Sequence, residues 1–217
     1  MRNILCFAFM IISFSTFSQK KILDHSDFDL WNRVISPKIS AEGNFIMYSI
    51  EKGEKDQHIK IKDTESNLIF DYERSKGAQF TYDSEFAIFT IKAWKDSIVE
   101  MKRRKVKKDK MPKDTIGIFN LKDKSLHKIA NVNSYKVPEK WSGFIAYTYD
   151  NDALKENKKS KDSTQSKKDK KLKKSSSKNG YPLVIRNLEN DEEDTIPFVT
   201  NFTFAKENMI YPTAQQG

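Results

Sequence analysis

The stretch Glu42-Gly43-Asn44-Phe45-Ile46-Met47-Tyr48-Ser49 decides the fold, because it joins a polar turn to a short strand that carries aromatic residues. The same unit recurs three more times, and the strands of the four copies begin at residues 45, 86, 144 and 209. The later copies are Asp83 to Thr90, Trp141 to Thr148 and the degenerate Lys206 to Tyr211. The recurrence identifies the chain as a repeat protein.

The spacing between copies becomes regular once two basic tracts are removed. The raw intervals are 41, 58 and 65 residues, and removal of the 24-residue tract Lys155 to Lys178 returns the last to 41. Removal of about 17 residues around Lys92 to Lys108 does the same for the middle interval. A period of roughly 40 to 45 residues with several strands per unit is typical of a β-propeller blade. We therefore predict an all-β fold, a partial β-propeller of about three blades plus an incomplete fourth.

A second strand keeps the same register in each copy. It reads Ile59 to Thr64, Ile116 to Leu121 and Leu183 to Leu188, with apolar residues two apart followed by Asp or Asn. This pattern predicts a half-buried strand that runs into a turn. Both insertions then fall in the loop between the first and second strands. Third-strand candidates are Leu68 to Tyr72, Leu126 to Ala130 and Thr195 to Val199, and fourth or entry strands are Gln79 to Tyr82, Ser134 to Val137 and Asn201 to Ala205.

One alternative to the propeller remains from the pattern alone. A β-sandwich could contain hairpins that merely look alike. It would give no reason for a corrected period to recur, so the propeller is preferred. The propeller predicts that the aromatic residues occupy recurrent positions in the blades; these are Phe45, Tyr48, Phe86, Phe89, Phe144 and Tyr147.

The N-terminus predicts export. A short basic start with Arg2 precedes an apolar run from Ile4 to Phe14, and small or polar residues follow up to Ser18. This is the pattern of a secretory signal peptide over residues 1–18, cleaved after Ser18, and the run is too short for a membrane anchor. Residues 19–38 are predicted as a helical lead-in with a short helix near the mature N-terminus, and 39–217 as the incomplete propeller. The mature protein is expected in the periplasm or outside the cell.

The positive charge of the chain is local. The full sequence carries +9, and loss of Arg2 with the signal peptide leaves +8. The tract Lys155 to Lys178 holds 11 Lys against three acidic residues, so it accounts for +8 alone. Its composition predicts a disordered, solvated loop. Contact with a polyanion stays open, although the tract lacks aromatic residues that would stack on nucleic-acid bases.

The second basic insertion has a different character. It covers about residues 92–113, and Lys102 to Lys113 contains eight basic residues and one Asp. Asp96 or Ser97 can cap a short helix that places Ile98, Met101 and Lys105 on one side. We expect an exposed helix that projects from the blade. Contact of this helix with a partner or a membrane surface is the alternative.

The residues point to no catalytic, cofactor-binding or metal-binding site. The seven glycines form neither a nucleophile elbow nor a phosphate-binding loop, and Cys6, the sole cysteine, lies in the signal peptide. The histidines, His25, His58 and His127, lie far apart without ligand spacing. The acidic cluster Glu189 to Asp194 is interpreted as a solvated hairpin turn rather than a calcium loop. We predict no site residue, no cofactor and no metal for this chain.

Several segments resemble exported serine peptidases of the prolyl oligopeptidase family of Bacteroidota. They are Leu23 to Trp31, Ile39 to Phe45, Lys110 to Ile118, Tyr181 to Leu188 and Phe202 to Asn208. The resemblance covers nearly the whole mature chain, and its motifs are blade-like. It implies an N-terminal propeller that covers a C-terminal α/β-hydrolase domain with a Ser-Asp-His triad. The sequence stops at Gly217, inside about the fourth blade, so no triad residue can be carried over.

The resemblance leads to a functional expectation. The chain is expected to be the propeller part of such a peptidase, to admit peptides rather than folded proteins to the hydrolase domain, and to be inactive alone. Peptide substrates are then its partners only together with the catalytic domain. No specific nucleic acid and no transmembrane span are expected, whereas self-association through uncovered blade edges is. The alternatives are a free-standing binding module and, behind it, a polyanion-binding protein.

Overall fold

The computed structural model describes Asp24, Asp27 and residues 31–53, 56–149, 180–206 and 210–214. This part of the chain is mostly β-structure, in two antiparallel sheets. One sheet has the order β1-β2-β3-β4, and the other runs without interruption from β5 to β12. The strands are β1 (Asn32–Ile39), β2 (Phe45–Lys52), β3 (His58–Asp63), β4 (Leu68–Glu73), β5 (Ser75–Phe80), β6 (Phe86–Ile91), β7 (Asp114–Asn120), β8 (Leu126–Lys136), β9 (Phe144–Tyr149), β10 (Tyr181–Asn187), β11 (Glu193–Phe204) and β12 (Ile210–Ala214).

Three hairpins share one register, which agrees with the sequence prediction. The first residue of each aromatic strand pairs with the Asp or Asn that ends the next strand. The pairs are Phe45 with Asp63, Phe86 with Asn120 and Phe144 with Asn187. The aromatic residues therefore occupy equivalent positions in their hairpins. We call the segments 32–73, 75–130, 132–197 and 199–214 the first to fourth repeats.

The Asp or Asn at the end of each hairpin closes the following turn. The side-chain oxygen of Asp63 accepts a hydrogen bond from the backbone N–H of Asn67 at 2.8 Å. The side-chain oxygens of Asn120 and Asn187 also accept bonds from backbone N–H groups, each at 2.9 Å, but from residues two rather than four positions further on. Short polar side chains favour such turns because they bond to backbone N–H groups nearby. This contact explains why the pattern of apolar residues ends in Asp or Asn in all three copies.

Equivalent residues also mark the passage from one repeat to the next. Arg74, Asn131 and Phe198 have φ angles of 60°, 62° and 59°. Each lies eleven positions after the Asp or Asn of its hairpin. The left-handed region is unfavourable for side chains other than Gly, Asn and Asp. Three such residues at one repeat position indicate that the fold requires this change of backbone direction.

The sequence predicted separate third and fourth strands in each copy, and this prediction is wrong for the candidates that follow the second and third hairpins. They join into single strands, β8 and β11. The first part of β8 pairs with β7 and its last part with β9, on either side of Asn131. In β11 the change of partner from β10 to β12 occurs around Phe198. A single residue with a left-handed backbone redirects the chain, so no turn is needed.

The repeats pack face against face. We call the side of each aromatic strand that carries its first and third residues the odd face, and the opposite side the even face. The odd face of the first repeat packs on the even face of the second, and the odd face of the second on the even face of the third. The clusters contain Met47, Ile61, Ala87, Phe89 and Phe119; Phe86, Ile88, Ile118, Ile145 and Tyr147; and, beyond the third repeat, Ala146, Leu183, Val199 and Phe202.

The insertion between β6 and β7 contains the predicted helix, α1 (Lys95–Arg103), followed by a 3₁₀ turn at Lys108–Lys110. Its start differs from the prediction, since Trp94 and not Asp96 or Ser97 is the N-cap, and no side chain caps the helix. The backbone N–H of Lys95 instead donates to Asp56 Oδ2 at 3.2 Å. A tertiary contact thus replaces the local cap.

The helical lead-in predicted for 19–38 is wrong for its last part, where 32–38 belongs to strand β1. The strand forms because β2 offers a partner for residues such as Val34 and Ile35, which are β-branched and favour extended structure. The predicted signal peptide, the mature N-terminal helix and the Lys155 to Lys178 tract lie outside the described residues. No helix in the described part of the chain is long and apolar enough to cross a membrane.

Candidate functional site

The strands that precede the aromatic strands of successive repeats end at one edge of the molecule and line two adjoining cavities. The larger has a volume of about 540 Å³ and is lined by the ends of β5, β8 and β11. The second, of about 480 Å³, adds the end of β1. Gln79, Val137 and Glu139 line both. All four repeats therefore contribute to one concave region, which we call the strand-end cavity.

A tryptophan ties the third and fourth repeats together beside this cavity. The indole N–H of Trp141 donates to the carbonyl oxygen of Ala205 at 3.0 Å. Its ring packs edge-on against Phe204, with the centroids 5.3 Å apart. Lys136 lies close by, where its ammonium donates to the carbonyl oxygen of Phe202 and lies 5.3 Å from the Phe202 ring centroid. The sequence placed Trp141 in a turn, and it gave no signal that the side chain reaches another repeat.

The lining of the strand-end cavity is largely polar and charged. Lys38, Lys136, Lys140 and Lys206 supply positive charge, and Glu139 supplies a negative charge. Ser84 is the serine of the lining, and its hydroxyl accepts a hydrogen bond from the backbone N–H of Ala41 at 2.8 Å. Ser84 thereby joins the first and second repeats, and the described residues that line the cavity include no histidine.

The sequence predicted that none of the three histidines forms a catalytic or metal-binding site. The structure describes the surroundings of two of them, His58 and His127. The imidazole of His58 is largely buried, with Nδ1 3.5 Å from Asp71 and Nε2 3.6 Å from Glu73. Asp71 also pairs with Lys60 at 2.7 Å. His127 is exposed on β8, and His25 lies outside the described residues. None of the described His, Asp and Glu residues form a group that could hold a metal ion.

The acidic hairpin turn of the third repeat has a partner that the sequence did not reveal. Arg186 is buried on the even face, and its guanidinium binds Asp191 at 2.7 Å and Glu193 at 2.6 Å. The hydroxyl of Tyr147 donates to the same Glu193 oxygen at 2.8 Å. Two carboxylates of the cluster thus neutralise a buried cation, which corrects the interpretation of the cluster as merely solvated. The signal was present in the sequence, since Arg186 takes an apolar position of a strand beside an acidic turn.

The electrostatics of this network follow from burial. Burial, reinforced by the hydrogen bond to Glu193, raises the pKa of the Tyr147 hydroxyl well above its ordinary value of 10.0. Burial lowers the pKa of Arg186, but its bonds to Glu193 and Asp191 outweigh this and leave the pKa raised. Tyr147 therefore stays protonated and Arg186 charged at neutral pH. The Nε–H of Arg186 has no hydrogen-bond partner in the described part of the chain.

Comparison with known proteins yields similarity to solved structures. No protein-family model matches the chain, and no curated protein matches it. It is similar to the acylaminoacyl peptidase of Pyrococcus horikoshii, at 13% identity over 82% of this chain and 27% of that one, with a TM-score of 0.43. It is also similar to the β-propeller domain of the Trilobed protease from Pyrococcus furiosus, at 14% identity over 78% of this chain and 45% of that one, with a TM-score of 0.43.

A prolyl endopeptidase structure is similar at 8% identity over 86% of this chain and 27% of that one, with a TM-score of 0.48. The chain spans between about a quarter and a half of the length of these three solved chains. Similarity at this level indicates neither a shared activity nor a shared substrate.

Proposed function

We propose that the chain is the propeller part of an exported serine peptidase of the prolyl oligopeptidase family, in which it controls the access of peptides to a hydrolase domain. The observation that carries the proposal is the strand-end cavity, to which each of the four repeats contributes the end of the strand that precedes its aromatic strand. The blades of a propeller are arranged around a central channel in this way. The family assignment rests on the sequence segments that resemble those peptidases.

The packing of the repeats supports a propeller rather than a sandwich. The same odd-to-even packing joins the first repeat to the second and the second to the third. A two-sheet sandwich has one shared core between two inner faces, whereas here the second repeat is buried on both faces. Phe86 and Phe89 of β6 illustrate this, because they are buried in two different clusters. A succession of clusters is expected when blades follow one another around an axis.

In this proposal the opening among the strand ends admits or excludes a substrate according to the width of the substrate. An extended peptide can enter an opening bordered by strand ends, whereas a folded domain of 100 residues has a radius of gyration of roughly 13 Å. The lining would contact the passing peptide through polar and charged side chains, and the cleavage itself would take place in the hydrolase domain. The chain alone should then bind peptides without hydrolysing them.

A free-standing binding module is the second candidate function. It is favoured by the apolar residues exposed on the even face of the first repeat, among them Val34 and Ile46. In the second and third repeats the equivalent face is covered by a neighbour, so self-association through this face is part of the second proposal.

The test compares the 217-residue chain with the protein made from the complete reading frame that contains it. One sample of each is treated with a fluorophosphonate probe, which labels active serine hydrolases by blocking the nucleophile. Separate samples without the probe are given a proline-containing peptide or a folded protein that contains the same peptide sequence. We expect labelling and peptide cleavage in the longer protein, no cleavage of the folded substrate, and no labelling of the 217-residue chain. A complete reading frame that gives an unlabelled product would refute the peptidase assignment and favour the binding module.

A further inference from the structure

The two edges of the stacked sheets carry opposite charge. At one edge lie the turns 40–44, 64–67, 81–85, 121–125, 137–143 and 188–192, which together hold nine acidic residues and three lysines. We call it the turn edge. At the other, the insertion edge, lies the segment 92–113, with ten basic residues and three acidic ones. Strands β9 and β10 are joined at this same edge through the sequence that contains the Lys-rich tract. In the described part of the chain, the turn edge is therefore negatively charged and the insertion edge positively charged.

The basic segment is held firmly against the body at its start. The backbone N–H of Lys95 donates to Asp56 of the first repeat, and the backbone N–H of Lys92 donates to the carbonyl oxygen of Arg74 at 2.8 Å. The Arg74 guanidinium lies 4.6 Å from the centroid of the Trp94 ring. These contacts join α1 to two repeats, so the charges that follow have a fixed position relative to the sheets.

Helix α1 presents a basic outer side. Val99, Lys102 and Arg103 recur at helical spacing and are exposed. Lys95 and Ile98 instead line a cavity against Asp56 of the first repeat, and Met101 is partly buried. Beyond the helix, Lys105, Lys107, Lys108 and Lys110 are also exposed. The surface therefore combines a row of cations with one exposed aliphatic side chain.

This composition fits an anionic lipid surface better than a nucleic acid. Eight of the ten cations are lysines, which act as hydrated point charges and lack the planar fork with which arginine binds phosphates bidentately. The aromatic residue of the segment, Trp94, has one ring face covered by Arg74, which leaves it poorly placed for stacking on bases. Lysine clusters beside an amphipathic helix are attracted to the headgroups of acidic phospholipids.

We propose that the insertion edge docks on bilayers rich in anionic phospholipid, with the outer side of α1 and residues 105–110 as the contact surface. In this orientation the acidic turn edge points away from the bilayer, which lowers repulsion from the headgroups. The strand-end cavity lies at the turn edge and stays open to the solvent. The inference is independent of the peptidase proposal, because lipid binding requires no hydrolase domain.

The experiment measures the partition of the 217-residue chain onto sucrose-loaded vesicles by sedimentation at about 0.1 M salt. Vesicles of phosphatidylcholine alone are compared with vesicles in which about a third of the lipid is phosphatidylglycerol. Binding to the neutral vesicles measures how much the apolar N-terminal run, Ile4 to Phe14, contributes to the partition. The variant K102Q/R103Q/K108Q removes three charges from the contact surface, and K122Q/K124Q/K140Q removes three exposed charges from the turn edge. The Lys-rich tract is unchanged in both.

We expect the chain to bind the anionic vesicles, with an affinity that falls as salt increases. Since each lysine near such a surface contributes about fivefold, K102Q/R103Q/K108Q should bind at least about tenfold more weakly. The turn-edge variant should bind as well as the unmodified chain. Equal binding to both kinds of vesicle, or equal losses in the two variants, would overturn the proposal. Tighter binding of duplex DNA than of anionic vesicles at the same salt would also overturn it, in favour of a nucleic-acid partner.

Discussion

The first and third repeats are built on one hairpin register but differ in what covers their even faces. Ile46 of the first repeat is 42% exposed, whereas Ile145, at the equivalent position, is completely buried. Ile46 pairs with Lys62, and Ile145 pairs with Arg186. The register thus follows from the turn and the strand pattern, which the two repeats share. Burial follows from the neighbouring repeat, which the third has and the first lacks in the described structure.

The second repeat extends the comparison. On its even face Phe89 pairs with Gly117, where the first repeat pairs Tyr48 with Lys60. A Cβ atom at Gly117 would lie 2.6 Å from the Phe89 ring, so the glycine makes room for the aromatic side chain. The even face of the second repeat, which the first repeat covers, therefore requires closely packed side chains. The uncovered even face of the first repeat accommodates lysines. Substitutions at equivalent positions can test this difference.

The largest effect is expected for Phe89→Ala compared with Tyr48→Ala. Phe89 is fully buried, and its ring lies 5.6 Å from those of Phe70 and Tyr72 in the first repeat. Its removal leaves a cavity between two repeats and should lower the free energy of unfolding by about 3 to 5 kcal/mol. Tyr48→Ala should cost about 1 kcal/mol, because the side chain lies on the uncovered face. Urea unfolding followed by circular dichroism measures both, and equal losses would contradict the packing of the repeats.

The next effect concerns the buried cation. Arg186→Ala leaves the carboxylates of Glu193 and Asp191 without their cation, and it should cost about 2 to 3 kcal/mol, less than for a fully buried pair because Glu193 is partly exposed. Lys62→Ala, the matched change in the first repeat, should alter stability by no more than about 0.5 kcal/mol. The urea concentrations at the unfolding midpoints of the two variants measure the difference in their stability. A loss for Lys62→Ala as large as that for Arg186→Ala would show that the faces do not differ electrostatically.

A smaller effect is expected for Gly117→Ala. The added methyl group must displace the buried Phe89 ring, an overpacking cost of about 1 to 2 kcal/mol after the gain in backbone entropy is deducted. The same substitution in a Phe89→Leu background should cost much less, because the ring is absent. A double-mutant cycle of unfolding free energies measures this coupling. Additive losses would mean that Gly117 is required for its backbone rather than for the ring.

The smallest effect is a pH dependence at the third repeat. The pKa of Tyr147 is raised in the folded state by burial, so above its ordinary value of 10.0 the unfolded chain releases a proton that the folded chain keeps. Stability is then fully present below pH 10 and declines as the pH rises further, by about 1.4 kcal/mol one unit above that value. Tyr147→Phe should remove this part of the decline. Unfolding curves at pH 8 to 11 for both proteins measure it, and parallel declines would exclude Tyr147 as its source.

The sequence by itself determined the hairpins. The turn before the aromatic strand and the Asp or Asn after its partner are local signals, and residues such as Asp63 and Asn120 bond to backbone groups only a few positions away. The positions of the aromatic strands and of the strands that pair with them, their common register and the location of both insertions between the two therefore followed from the pattern, whereas β1 did not. The helix in the first insertion was predictable for the same reason, apart from its cap.

Only the tertiary structure decided how the repeats meet. The joining of strands at Asn131 and Phe198 and the hydrogen bond from Trp141 to Ala205 depend on contacts between repeats. Arg186 is buried because its face of the third repeat packs on the second repeat, although its acidic partners are near in sequence. Such contacts leave no periodic trace, because a side chain that bonds to another repeat can occupy a position that looks like any turn or strand residue. The charged residues of the turn edge and the insertion edge can be counted from the sequence. Their separation in space depends on the antiparallel topology, which places each loop at one edge or the other.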